Sequence, residues 1–228
     1  MAMKLLTEGN AKTSLGESYG YLTGILYLNP RTNRAKLCPY ASESCFTNCL
    51  VDSGLGQVYP KINAARARKT MEFLSNRQAF IDTLRQDIKA LIRRAKRLNL
   101  IPAIRLNGTS DILWEKLSSL MVEFSEVQFY DYTKVPLQHR GQLPNYHLTF
   151  SFSGDNWQAC EDAMNRGVNV AVVFAGDIPD SYKGHEVIDG TEHDLRFLDK
   201  KNVIVGLCIK GNEAKKRAKQ NSDFLVTL

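Results

Sequence analysis

The chain has 228 residues, 43% of them hydrophobic and 24% charged, with 15 glycines and 7 prolines. This composition excludes collagen-like, coiled-coil and disordered classes and leaves one globular domain over 1–228 as the expectation. Thirty Lys+Arg against 24 Asp+Glu give a formal charge of +6, which suits an anionic ligand or nucleic acid and requires neither.

No apolar run approaches the roughly 20 residues that span a bilayer, and Met1–Leu6 is too short for the apolar core of a signal peptide. A cytoplasmic protein without a membrane partner is expected. The first apolar, β-rich run, Tyr21–Leu28, stops at Asn29-Pro30 and reads as a strand. A cysteine-bearing loop follows it. From Pro60 to Leu98, positions such as Ile62, Ala65, Phe73, Phe80, Leu84, Ile88, Leu91 and Ala95 keep helical spacing, predicting one long helix or two with a break at Leu74-Ser75-Asn76.

Seven further strands are predicted at 101–106, 127–132, 146–152, 168–174, 186–188, 203–208 and 224–227, and helices at 112–124, 156–166, 192–199 and 213–220. Strands alternating with helices imply a parallel sheet with right-handed crossovers. Eight strands in this length fit a compact, partly irregular TIM-like (β/α) barrel with the cysteine loop after its first strand. An open doubly wound sheet is the alternative, although the chain carries neither G-x-G-x-x-G nor G-x-x-x-x-G-K-[ST].

In a parallel barrel ligands gather at the carboxyl ends of the strands. There the sequence places Arg105, Asn107, Asp131, Tyr132 and Lys134. Asn107, Arg105, Asp131 and Lys134 are candidates for holding a small anionic ligand through hydrogen bonds and charge. Ser110, Asp111, Asp155 and Thr191 read more simply as helix caps.

The five cysteines are unevenly spread: Cys38, Cys45 and Cys49 spell C-x6-C-x3-C, whereas Cys160 and Cys208 stand alone. An odd count without a leader fits a disulfide framework poorly. A structural zinc site wants four ligands and no fourth Cys or His lies nearby. Three local thiolates suit an iron-sulfur cluster whose fourth iron is held from elsewhere or left open, thiolate being a soft anionic donor. Cys208, ending a strand on the same predicted face, is the candidate fourth ligand. Cys160, in a helix beside Ala159 and Ala163, reads as core, and the four histidines show no metal-ligand spacing.

Asn10-Ala11-Lys12-Thr13, Cys38-Pro39 with Cys45 and Cys49, and the Arg/Asn-containing helix that follows resemble the phage gene product eighty-eight family, over roughly residues 7–115. The resemblance implies a bacteriophage source, the host bacterial cytoplasm as location, and Cys38, Cys45 and Cys49 as metal-site residues. A looser similarity is to radical S-adenosylmethionine enzymes, which carry three cysteines after the first strand of a (β/α) barrel. The chain departs from their C-x3-C-x2-C spacing and has Asn107-Gly108-Thr109-Ser110-Asp111 where those enzymes carry Gly-Gly-Glu.

Two function classes follow. One is a protein with a [4Fe-4S] cluster, redox or radical chemistry, a small-molecule or redox partner and S-adenosylmethionine as an optional cofactor. The other is a metal-stapled or structural protein whose basic helix, with Arg66, Arg68, Lys69, Arg85, Arg93, Arg94, Lys96 and Arg97, meets nucleic acid. The plainer account of those charges is a solvated helix face. No G-x-S-x-G, H-E-x-x-H or Cys/His pairing supports a hydrolase.

Overall fold

β-rich and helical segments alternate along the chain, and the apolar β-rich runs form the strands their composition predicts. The computed structural model describes residues 3–8, 11–49, 59–209 and 223–227. In chain order these form β1 (Leu6–Thr7), α1 (Ala11–Ser18), β2 (Tyr21–Leu26), a short α2 (Glu43–Thr47), α3 (Pro60–Ser75), α4 (Arg77–Leu98) and β3 (Ile101–Arg105). Then come α5 (Trp114–Leu117), α6 (Leu120–Glu123), β4 (Gln128–Thr133), β5 (Tyr146–Ser151), α7 (Trp157–Asn165) and β6 (Val170–Phe174). β7 (Ser181–Tyr182), β8 (His185–Asp189), β9 (Ile204–Cys208) and β10 (Leu225–Val226) complete the set, with 3-10 turns at Leu137–His139 and Arg196–Leu198.

The sheet runs β1-β2-β3-β4-β5-β6-β9-β8-β7. All pairings from β2 to β8 are parallel, whereas β1 joins β2 and β7 joins β8 antiparallel. The expected TIM-like barrel is therefore corrected to an open sheet among the described residues. Each edge ends in a two-residue antiparallel strand, which caps the parallel ladder rather than passing it on, and the crossover from β8 to β9 carries a 3-10 turn where a helix was expected. The predicted 112–124 helix is split into α5 and α6, and the helix expected at 213–220 lies outside the described residues.

The long basic segment behaves as its sequence suggests. Asn76 ends α3 and caps α4 by accepting the Ala79 N–H at 3.1 Å, and Asn99 closes α4 with a left-handed φ of 55°. Phe80, Leu84, Ile88, Leu91 and Ala95 face the sheet beside Leu22, Ile104 and Phe129. Farther along, Cys160, Ala163 and Met164 of α7 cover Phe150, Val170, Val172 and Ile204. Period-two alternation then assigns Thr23, Ala103, Arg105, Tyr130, Tyr132 and Thr149 to the opposite face of the sheet. Leu195 and Phe197 pack on Tyr21 and Tyr130 there.

β6 is flanked by β9 along its length, by β5 at Val170–Ala171 and by β10 at Val173–Phe174. The turn after β5 leaves room for this C-terminal strand only because Gly154, at φ +106°, has no Cβ; one built there would lie 2.8 Å from the Asp223 carbonyl carbon. Gly154→Ala is expected to cost about 1–3 kcal/mol through backbone strain alone. The steric conflict adds to that cost, and the urea unfolding midpoint measures the total.

Candidate metal centre

The cysteine loop leaves β2 and is held at several points. The Leu37 and Cys38 N–H groups donate to the Pro30 carbonyl at 2.7 and 3.1 Å, and the Asp111 N–H donates to Leu37 O at 2.7 Å. Ser42 caps α2 by accepting the Cys45 N–H at 3.0 Å, while its hydroxyl donates to Ser153 O after β5. Ser44 Oγ accepts the Phe224 N–H at 3.2 Å. The loop thus spans from the β3 side of the sheet to the turn after β5 and the approach to β10.

Under it lies a cavity of about 230 Å³ across the carboxyl ends of the strands. Cys38, Cys45, Cys49 and Cys208 all line it, together with Lys134 and Arg105. The strand-end expectation therefore brings the four predicted thiols to one space. Cys160 is fully buried in α7, as expected for core.

The electrostatics of this space are unequal. Burial pushes the Cys38 thiol up to about 12, against the pull of Lys134. Burial also opposes the Lys134 charge, but Cys45, Cys38, Asp111 and Cys49 outweigh it and hold the ammonium above its ordinary pKa. Arg105 forms an ion pair with Asp194 at 3.0 Å and lies 4.4 Å from the centre of the Tyr132 ring. Arg105 Nε and the Tyr132 hydroxyl are buried without a hydrogen-bond partner.

The other two predicted binding residues have a different task. The Asp131 carboxylate accepts the Asn107 backbone N–H at 2.7 Å, the Asn107 amide at 3.0 Å and the Tyr146 hydroxyl at 2.9 Å. Asn107 Oδ1 accepts the Ser110 hydroxyl and the Ile112 N–H. Asn107 reaches the cavity wall with its hydrogen bonds already used, and Asp131 is absent from that wall. Both position the loop after β3.

Sequence reasoning missed the partner of that loop. Asp111 does not cap a helix; it accepts the Thr133 hydroxyl at 2.9 Å and the Lys134 N–H at 2.7 Å, and faces Arg140 at 3.5 Å. Ser110 and Asp155 are also side-chain partners inside loops, and Thr191 lines the cavity. Arg140, buried between Asp111, Glu115 and Tyr146, carries no local motif that marks it.

Among the described residues no three His, Cys, Asp or Glu side chains converge so as to hold a single metal ion. A zinc ion gathers its sulfurs about 2.3 Å from one point, whereas an iron-sulfur cluster takes one thiolate on each iron and so needs them around a volume. The four thiols share the lining of one cavity without three of them meeting at a point.

Of the eight basic residues named on α3 and α4, four make contacts within the chain, some of them at the surface. Lys69 donates to Leu5 O, Arg85 pairs with Asp82 and Glu123, Arg94 pairs with Glu8, and Arg66 lies over the Tyr27 ring. Among the described residues no helix is long and apolar enough to cross a membrane.

No curated protein and no solved structure matches this chain, so the likeness to radical S-adenosylmethionine enzymes has no support from relatives. A family model described as Gene product 88 matches residues 4–225, nearly the full length and well past the segment in which the sequence resemblance lay. The chain therefore belongs to the Gene product 88 family, a family of phage gene products.

Proposed function

We propose that this chain is an iron-sulfur protein in which Cys38, Cys45 and Cys49 hold a [4Fe-4S] cluster over the carboxyl ends of the parallel strands. The observation that carries this reading is the meeting of the three loop thiols with Cys208, from a strand 159 residues after Cys49 (208 − 49), around one cavity. When bound, such a cluster supplies one-electron transfer, or activation of a ligand at an open iron.

The chain's own residues supply the setting. Lys134 offsets the negative charge of the thiolates, and the low dielectric of the buried site strengthens that effect. Arg105 Nε and the Tyr132 hydroxyl offer unused hydrogen-bonding groups to a small organic anion, with Lys134 as the nearby cation. Asn107, fixed by Asp131, keeps the β3 loop in register beneath the cysteines.

Anaerobic purification under iron-replete conditions, followed by iron and sulfide analysis and electron paramagnetic resonance, tests the reading. About four irons with a signal perturbed by S-adenosylmethionine favours an open iron and radical chemistry. The same content with an unperturbed signal favours Cys208 as fourth ligand and an electron-transfer or structural role. Protein without iron or sulfide overturns the proposal.

Lys134→Met supplies a second check. Loss of a buried positive charge beside the cluster is expected to lower its midpoint potential, on the order of tens of millivolts or more, with iron content retained. A redox titration followed by electron paramagnetic resonance measures the shift, and an unchanged potential would remove Lys134 from the site.

A further inference from the structure

A second cavity, about 340 Å³, opens at the other end of the sheet, where β5 and β6 begin. It is the larger of the two and falls within the roughly 300–1,000 Å³ range of small-molecule sites. Its walls come from the start of β5, the turn leading into β6 and the segment after the Arg196–Leu198 turn. Arg140 and Tyr146, which belong to the network beneath the β3 loop, form part of the wall; the Arg140 charge is matched by Glu115 and Asp111, while its Nε has no hydrogen-bond partner.

Among the groups with capacity left, His147, Arg166 and Lys201 are those not already held by an ion pair. Burial, then the nearby Arg196 and Lys201 charges, push the His147 imidazole down to about 4, so it is neutral at pH 7. Its Nε2 is buried and has no hydrogen-bond partner. Arg166 and Lys201 are exposed, and neither makes an ion pair among the described residues. The one carboxylate in the lining, Asp199, lies 3.3 Å from the buried Arg196 guanidinium, which matches its charge although the carboxylate Oδ2 makes no hydrogen bond. The cavity therefore combines two unmatched cations with an imidazole nitrogen that lacks its partner. A buried polar atom left unpaired in a folded protein calls for a ligand, a water or strain to explain it.

We propose that this amino-end cavity is a binding site for a compact oxyanion, the phosphate or carboxylate group of a small molecule, held by Arg166 and Lys201 at its rim and by His147 at its wall. The site is independent of the cysteine cavity and of any cluster there. Cation–oxyanion hydrogen bonds of the charge-assisted kind supply the affinity.

Inorganic phosphate is the probe, titrated calorimetrically at pH 7 into the full chain and into the Arg166→Gln/Lys201→Gln double variant, with ionic strength held by sodium chloride. Both substitutions are on exposed side chains, so the variant keeps the fold, and a circular dichroism melt checks this. Saturable binding by the native chain that weakens about tenfold or more in the double variant supports the site. Acetate run in parallel identifies the source: tighter phosphate binding assigns a phosphate monoester, tighter acetate binding a carboxylate, and either result supports the proposal. No saturable binding of either anion overturns it and leaves a hydrated cavity, as does equal binding by the two proteins.

Discussion

Alanine in place of Cys38, Cys45 and Cys49 together is expected to remove the bound iron and sulfide, from about four of each per chain to near zero, along with the visible absorption of the cluster. Cys160→Ala is the matched control. Cys160 is fully buried in α7 with its thiol pushed up to about 12, so it stays protonated and plays no part. Burial pushes the Cys38 thiol equally high, yet Cys38 faces the cavity where iron would displace its proton, since a bound metal inverts the local acid–base balance. Loss of iron from the triple variant with none from Cys160→Ala would separate a ligand from a merely buried thiol. Single Cys208→Ala separates the two ligation schemes: lost or altered iron marks it as the fourth ligand, and an unchanged spectrum marks an open iron. Retention of full iron in the triple variant would sink the cluster reading, and a far-ultraviolet circular dichroism spectrum excludes unfolding as the cause of loss.

Much of this arrangement was legible in the chain because its signals are local. All eight predicted strands are present, and the helix break at Leu74-Ser75-Asn76 falls where Asn76 both ends α3 and caps α4. β1 and β7 were invisible because two residues carry no period. Those same short strands are the two edges of the open sheet, so the places where a barrel would have to close are its least legible elements. The four cavity thiols were found because cysteine spacing and strand-end position are both readable from sequence. The cap assignments failed for a different reason. Asp111 reaches Thr133 and Lys134 across 22 or 23 residues of chain, and nothing within one turn of Asp111 announces a partner that far away. Asn107 and Asp131, expected as ligand-binding residues, are instead a hydrogen-bonded pair that builds the loop.

Asp131→Ala should be strongly destabilising, by about 1–3 kcal/mol for each buried donor left without an acceptor, because it removes the centre of a buried hydrogen-bond network. It would leave the Asn107 N–H, the Asn107 amide and the Tyr146 hydroxyl without their acceptor, and Arg140 beside Tyr146 with less negative charge. The damage also spreads toward the cysteines. Asn107 sets the loop that carries Asp111, and Asp111 ties the Lys134 backbone to that loop and reaches Leu37 next to Cys38. Reduced iron content should accompany the lost stability.

Asp131→Asn isolates the charge from the shape. Burial pushes the Asp131 carboxyl up from 3.8 to about 7, against the opposing pull of the Asn107 N–H, Arg105 and Arg140. Between those values the folded chain keeps a proton that the unfolded chain has released. The stability contributed by this group is therefore complete below 3.8 and is lost as pH rises toward 7. His147, held down at about 4, titrates with the opposite sign over much of the same window, so the diagnostic quantity is the difference between the two proteins. In urea unfolding at pH 5 and pH 7, the native chain should lose stability relative to Asp131→Asn as the pH is raised. A constant difference would show that the carboxyl is ionised throughout, with Arg140 and the three donors strong enough to overcome its burial.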